Sequence, residues 1–301
     1  MNRGISRMRA AFALAMIITL VTGLTPTFAA GQPAKASATV SSQSKTSTKN
    51  KTGALTDKQK EAQAIKKYGY YKGKNATRIP VITYHNVVSD QDKKKSEYRY
   101  SSLVVSRSQF FEQMKWLHDR NYRTISCEEF YLWYKGKIKL PPKTVLITFD
   151  DGYTGVGKHA MPILQRFNMK GTCFVIGINT ASGKHDSIKC KYVFKLSKQQ
   201  KNLEFQSHTF HLHTPEASRS GYKAVYYDSL KMKKVYGFEY VAYPFGRNNK
   251  SMRKAYKDTG MKLAFTYGDS DYATRWQDIY QIRRIKIYGN RSLSDFTKWF
   301  K

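Results

Sequence analysis

Two short stretches of this sequence hold side-chain combinations that could do chemistry. The first is Thr148-Phe149-Asp150-Asp151-Gly152-Tyr153, where two adjacent carboxylates end an apolar run. Adjacent carboxylates there repel one another and lose hydration, so a cation between or over them is the simplest stabiliser. Taken alone, the Asp-Asp-Gly turn is more often a helix-capping turn. The second stretch is Ser207-His208-Thr209-Phe210-His211-Leu212-His213-Thr214-Pro215, with three of the chain's seven histidines. His208 and His213 can meet at one point only if the chain turns between them, which a loop closed by Pro215 allows. One clustered histidine could be merely solvated. Joined by a carboxylate from another strand end, two imidazoles make a donor set for Zn²⁺ or a similar borderline ion, with positions left open for water.

Elements must position these residues. Strand candidates are Ile79–Tyr84, Tyr122–Ile125, Thr144–Phe149, Gly171–Ile176, Leu203–Gln206, Glu239–Tyr243, Lys262–Thr266 and Arg284–Ile287. Phe110, Phe111, Met114 and Leu117 mark one face of a helix, and Ser106 with Gln109 resembles its capping box. Gly136 and Gly171 fall where helices should stop. Strand followed by helix at this spacing implies a mostly parallel sheet flanked by helices, opened out or closed as a barrel. In such folds active residues gather at the carboxyl ends of the strands, which is where both stretches lie.

A chain of 301 residues with 41% hydrophobic side chains can bury a sizeable core, which excludes a small disulfide-stapled scaffold. Its 53 basic and 21 acidic residues give +32, so polyanions such as anionic surfaces or acidic wall polymers suit it as partners. Removing residues 1–75, with 13 basic and 2 acidic side chains, still leaves +21. Arg3, Arg7 and Arg9 precede an apolar run from Ala10 to Val21, and Thr27-Phe28-Ala29 offers a small-residue cleavage site. Residues 1–29 therefore read as a signal peptide and the mature product as secreted or bound to the cell surface. The apolar run is shorter than the roughly 20 residues of a membrane span, and no span is expected in the mature chain. Residues 30–75 read as a disordered cationic linker, either a spacer or a tether to acidic wall material. Residues 76–301 read as one catalytic domain. Cys127 and Cys173 read as buried thiols; with Cys190 they are three, too few to pair completely within one chain.

The two chemical stretches together resemble the first two motifs of the polysaccharide deacetylases, the NodB-homology carbohydrate esterases. That resemblance implies a deformed (β/α) barrel of mostly parallel strands. It implies Asp150 as general base, and Asp151, His208 and His213 as ligands of one divalent metal, zinc first, with cobalt, nickel or manganese as alternatives. The five-residue histidine spacing resembles the exported deacetylases of poly-β-1,6-N-acetylglucosamine. So does Val81-Ile82-Thr83-Tyr84-His85-Asn86, which implies His85 as general acid. Val241-Ala242-Tyr243-Pro244-Phe245-Gly246 is similar to the third motif and implies the Phe245 backbone N–H as oxyanion donor. Ala242 stands where many members carry the arginine that orients the base. Arg284 is one substitute, although a surface ion pair is the ordinary reading of a single arginine. His118, His159 and His185 match nothing.

The reaction implied is hydrolysis of an N-acetyl amide, with the metal acidifying water and polarising the carbonyl. An exopolysaccharide is the favoured substrate; peptidoglycan and chitin-like chains present the same acetamide. Tyr84, Tyr153, Tyr243, Tyr288 and Trp276 lie near the expected strand ends, where aromatic faces could hold a sugar. A catalytically inert wall-binding protein on the same fold is a reading from another class. The charge alone also suits a nucleic-acid binder, which the signal peptide opposes.

Overall fold

The computed structural model describes residues 55–183, 186–199 and 201–300, so the expected signal peptide over 1–29 and residues 30–54 of the expected linker lie outside the described residues. Seven parallel strands curl around a common interior. They are β1 (Val81–Tyr84), β2 (Thr144–Phe149), β3 (Gly171–Val175), β4 (Leu203–Ser207), β5 (Tyr240–Ala242), β6 (Leu263–Phe265) and β7 (Ile285–Lys286). Their order across the sheet is β6-β5-β4-β3-β2-β1-β7. The edges approach one another through Ile282, whose amide donates to Ala264 O and whose carbonyl accepts from the Thr266 amide. This is the deformed (β/α) barrel expected. All eight strand candidates contain a strand, with Pro80 dividing the first into Arg78–Ile79 and β1. A short parallel pair, Asn86–Val88 with Val104–Ser106, was not anticipated.

Period-two alternation sorts the strand residues into two layers. Val145, Ile147 and Phe149 of β2, with Ile82 and Tyr84 of β1, pack outward against helices such as α2 (Arg107–Asp119), which buries Phe110, Met114 and Leu117. Val81, Leu146, Phe174 and Phe265 point into the barrel, where α3 (Cys127–Tyr134) adds Phe130 and Trp133. Each such fully buried side chain contributes about 1.5–3 kcal/mol. The inward set also contains Thr83, Thr148, Thr172, Asp150, His208 and Arg284, all buried. Polarity therefore enters the interior by strand register.

Several boundaries differ from the expectation. The helix α1 (Asp57–Tyr68), capped by a Thr56–Gln59 box, buries Ala64 and Tyr68, so ordered structure begins within the stretch assigned to the linker. Ser106 accepts from the Gln109 amide, which is one half of the expected capping box. Gly136 follows α3 with a positive φ, whereas Gly171 opens β3 rather than ending a helix. Cys127 and Cys173 are buried free thiols. Among the described residues, no helix is long and apolar enough to cross a membrane.

Candidate active site

Asp150 continues the inward register of β2. It is 2% exposed, and its amide donates to Tyr84 O at 2.9 Å, as though the strand ran one residue further. Asp151 then turns the chain with φ 70° and Gly152 follows at φ 73°. A side chain at Gly152 would place its Cβ 2.8 Å from Val175 Cγ1, so glycine is required for close packing as well as for the turn. The left-handed step separates the two carboxylates, sending them to different partners.

Asp150 meets Arg284. Nη1 donates to Oδ1 at 2.8 Å and Nη2 to Oδ2 at 2.7 Å, a bidentate pair in which both side chains are buried. Arg284 also donates to Thr266 O and Thr148 Oγ1 and lies over the Phe174 ring. The surface-pair reading of Arg284 is thus corrected: the inward register of the strand leading into β7 carries it to the barrel centre. Burial opposes ionisation of Asp150, but the Arg284 charge outweighs it and its pKa is lowered.

Asp151 meets the histidines. Its Oδ1 lies 3.4 Å from His208 Nε2 and 3.0 Å from His213 Nε2. His208 sits on the inward face just past β4, and its Nδ1 is 2.8 Å from Ala242 O. A carbonyl can only accept, so Nδ1 carries the proton and Nε2 offers its lone pair toward Asp151. Thr209 then takes φ 68°, an unusual conformation for a β-branched residue. The Asp228 carboxylate accepts the Phe210 and His211 amides at 2.8 and 2.7 Å, folding the loop that returns His213. His211 itself is exposed, its ring tilted against that of Phe210, outside the cluster.

One donor atom from each of Asp151, His208 and His213 lies within 4.8 Å of the others. Ligands about 2.0–2.2 Å from a tetrahedral zinc stand roughly 3.3 Å apart, close to the Asp151 separations observed. Charge argues likewise: with neutral histidines, two carboxylates face one guanidinium, leaving a negative excess in a buried site. Burial disfavours the charged form of His208, yet Asp150 and Asp151 overcome this and raise its pKa. Burial opposes the charge on Asp151, yet the two imidazoles hold its carboxyl well below the carboxylate range whenever their Nε2 atoms carry protons, and a cation does the same in place of those protons. The donor set fits a divalent cation.

His85 follows β1 on the same inward register, its ring edge-on to Tyr267 at 5.3 Å between centroids. Burial lowers its pKa despite the nearby Asp150 charge. Phe245, at φ 57°, is about half exposed and its ring stands 5.2 Å from that of His213. Each of the three motif loops thus contains one non-glycine residue in the left-handed region, Asp151, Thr209 or Phe245. Of the aromatic candidates, Tyr84 and Tyr243 are core, whereas Tyr153 is half-buried and Tyr288 exposed. Trp276 is 92% exposed but follows the Ala273–Thr274 strand, which pairs with Arg78–Ile79 at the amino ends of the barrel. It is remote from the strand ends that carry the site. Asp228 and Tyr267 escaped the sequence reading because no local pattern marks a loop-folding carboxylate on a helix or a ring beside His85.

Comparison with known proteins finds a match to the family model described as polysaccharide deacetylase over residues 137–264. That span contains Asp150, Asp151, His208, His213 and Phe245, but not His85 or Arg284. The chain is 29% identical over 238 residues to YxkH of Bacillus subtilis strain 168, covering 75% of this chain and 77% of that one. It is 27% identical over 226 residues to the poly-β-1,6-N-acetyl-D-glucosamine N-deacetylase of Staphylococcus aureus strain NCTC 8325, covering 68% and 77%. Among solved structures, the deacetylase PplD of Streptococcus pyogenes superposes with a TM-score of 0.65 at 22% identity, covering 75% of this chain and 99% of that chain. IcaB of Ammonifex degensii gives 0.61 at 22% identity, covering 75% and 97%.

Proposed function

We propose that this chain, whose polysaccharide deacetylase domain makes it a hydrolase of amide bonds, removes acetyl groups from N-acetylglucosamine units of an exported polysaccharide. Poly-β-1,6-N-acetylglucosamine is the favoured polymer, supported by the Staphylococcus aureus relative and by the five-residue step from His208 to His213. The reading rests above all on the convergence of Asp151, His208 and His213 beside a buried Asp150. A divalent cation held by those three residues, zinc suiting the set best, would polarise the acetyl carbonyl and make water acidic enough to activate.

Asp150 takes one proton from the attacking water as its oxygen bonds to the carbonyl carbon. Arg284 keeps Asp150 ionised and fixes its orientation, the task that an arginine at position 242 could otherwise perform. The Phe245 N–H donates to the carbonyl oxygen as negative charge develops there. His85 delivers a proton to the sugar nitrogen while the carbon–nitrogen bond breaks, because an amide nitrogen leaves poorly as an anion. The products are acetate and a glucosamine unit carrying an ammonium: the proton taken by Asp150 makes good the one that His85 gave up, and the proton left on the acetic acid passes through solvent to the amine. The signal peptide over 1–29 and the cationic linker would place this reaction outside the cell, where the net charge of +29 left on residues 30–301 favours acidic wall polymers as neighbours.

The decisive experiment incubates the full chain with N-acetylglucosamine polymers of different linkage, with and without chelator, and measures acetate. Release that is greatest from the β-1,6 polymer and lost with chelator is expected. Chelator-insensitive release would refute the role of the cation. His85→Ala should impair amide cleavage more than cleavage of an activated acetate ester, whose leaving group needs no proton. Equal losses on the two substrates would remove His85 from its role.

A further inference from the structure

The wall of the site formed by β7 and the segment after β6 carries a cation that the hydrolysis does not use. Arg284, Lys286 and Tyr288 follow one another on the inward register, and Lys286 pairs in register with Thr83, two residues before His85. The Lys286 Nζ lies 4.5 Å from the centroid of Tyr288 and 5.5 Å from that of Tyr267. Tyr267 in turn contacts the His85 ring. Among the described residues, no carboxylate pairs with Lys286, whereas Lys262 and Lys298 each have one. Two ring faces attract the ammonium and hold it at the groove. Burial pushes its pKa down, as expected for a charge partly withdrawn from water.

We propose that Lys286 is a specificity-determining residue that disfavours a glucosamine unit, already bearing an ammonium, beside the acetylated unit to be cleaved. The inference rests on the deacetylase reading, since each turnover converts a neutral sugar into a cationic one. Like charges in the groove then repel, and successive cleavages are spaced along the polymer rather than made on adjacent units.

The test uses the zinc-loaded full chain and two N-acetylglucosamine pentamers, one fully acetylated and one with a single internal glucosamine. Acetate release is followed with mass-spectrometric location of each new amine. At low salt, kcat/KM for cleavage next to the free amine should fall about tenfold relative to the same position in the fully acetylated pentamer. The ratio should shrink as salt screens it. Lys286→Gln should bring it to within about twofold of unity, Lys286→Glu should invert it, and Lys286→Arg should preserve it, as expected if charge alone sets it. A wild-type ratio near one would overturn the inference, as would a Lys286→Gln variant that retains the preference. If neither pentamer yields acetate, the deacetylase reading fails and this inference with it; release without preference defeats the inference alone.

Discussion

Two buried carboxylates in this molecule each bind an arginine, yet they serve different ends. At the amino end of the barrel, Glu129 accepts from Arg123 at 2.7 Å and Lys170 at 2.6 Å, and its second oxygen also caps α3 through the Ser126 amide. Two cations face one carboxylate, and both of its oxygens are used. At the carboxyl end, two carboxylates stand against one guanidinium, which Asp150 alone binds, while Asp151 faces imidazoles. The first arrangement is closed in the sense that its one negative charge is more than countered by two cations, and it ties a helix to the sheet. The second is one positive charge short. A buried deficit of that kind is tolerated where a cation can complete it.

The contrast can be broken at either end. His208→Ala or His213→Ala should strip stoichiometric zinc, as metal analysis would reveal, and forfeit most of the acceleration of about 10⁶-fold or more typical of enzymes. Zinc retained in either variant would refute the ligand assignment. Asp150→Asn should keep the metal while acetate release slows by about 10²- to 10⁴-fold. Arg284→Met strands the Asp150 charge and should cost about 3–5 kcal/mol in denaturant unfolding, with slower turnover. Unaffected unfolding would show that the buried Asp150–Arg284 pair does not stabilise the barrel.

At the closed end, Glu129→Gln should cost about 1.5–3 kcal/mol while leaving kcat unchanged, because it touches nothing at the site. A fall in kcat would show that the two ends are coupled. The same variant gives the pH dependence. Burial raises the pKa of Glu129, but the Lys170 hydrogen bond and charge, with Ser126 and Arg123, lower it overall. A lowered pKa means that the stabilisation is fully present above the unfolded carboxylate value of about 4.3 and is lost as pH falls through the folded value. Unfolding curves of wild type and Glu129→Gln should therefore converge on acidification. A gap that persisted at acid pH would contradict the assignment.

Much of the fold was legible because strands and turns are local. Near-continuous apolarity in Thr144–Phe149 and the helical spacing of Phe110, Met114 and Leu117 need only neighbours along the chain to be read. The Asp-Asp and His-x₄-His stretches were legible for the same reason. Trp276 misled because closeness to a motif in sequence says little about which end of a barrel a loop reaches. Asp228 and Tyr267 gave no signal because each acts through a contact made only after folding.

The amino-acid sequence by itself determined where the strands lie and that an Asp-Asp-Gly turn follows Phe149. Tertiary structure alone decided that Arg284, 134 positions from Asp150, supplies the guanidinium absent at Ala242, and that Ala242 instead offers its carbonyl to His208. The physical reason is that electrostatic and hydrogen-bond energies depend on separation in space, and the curled sheet sets those separations by bringing distant strands side by side.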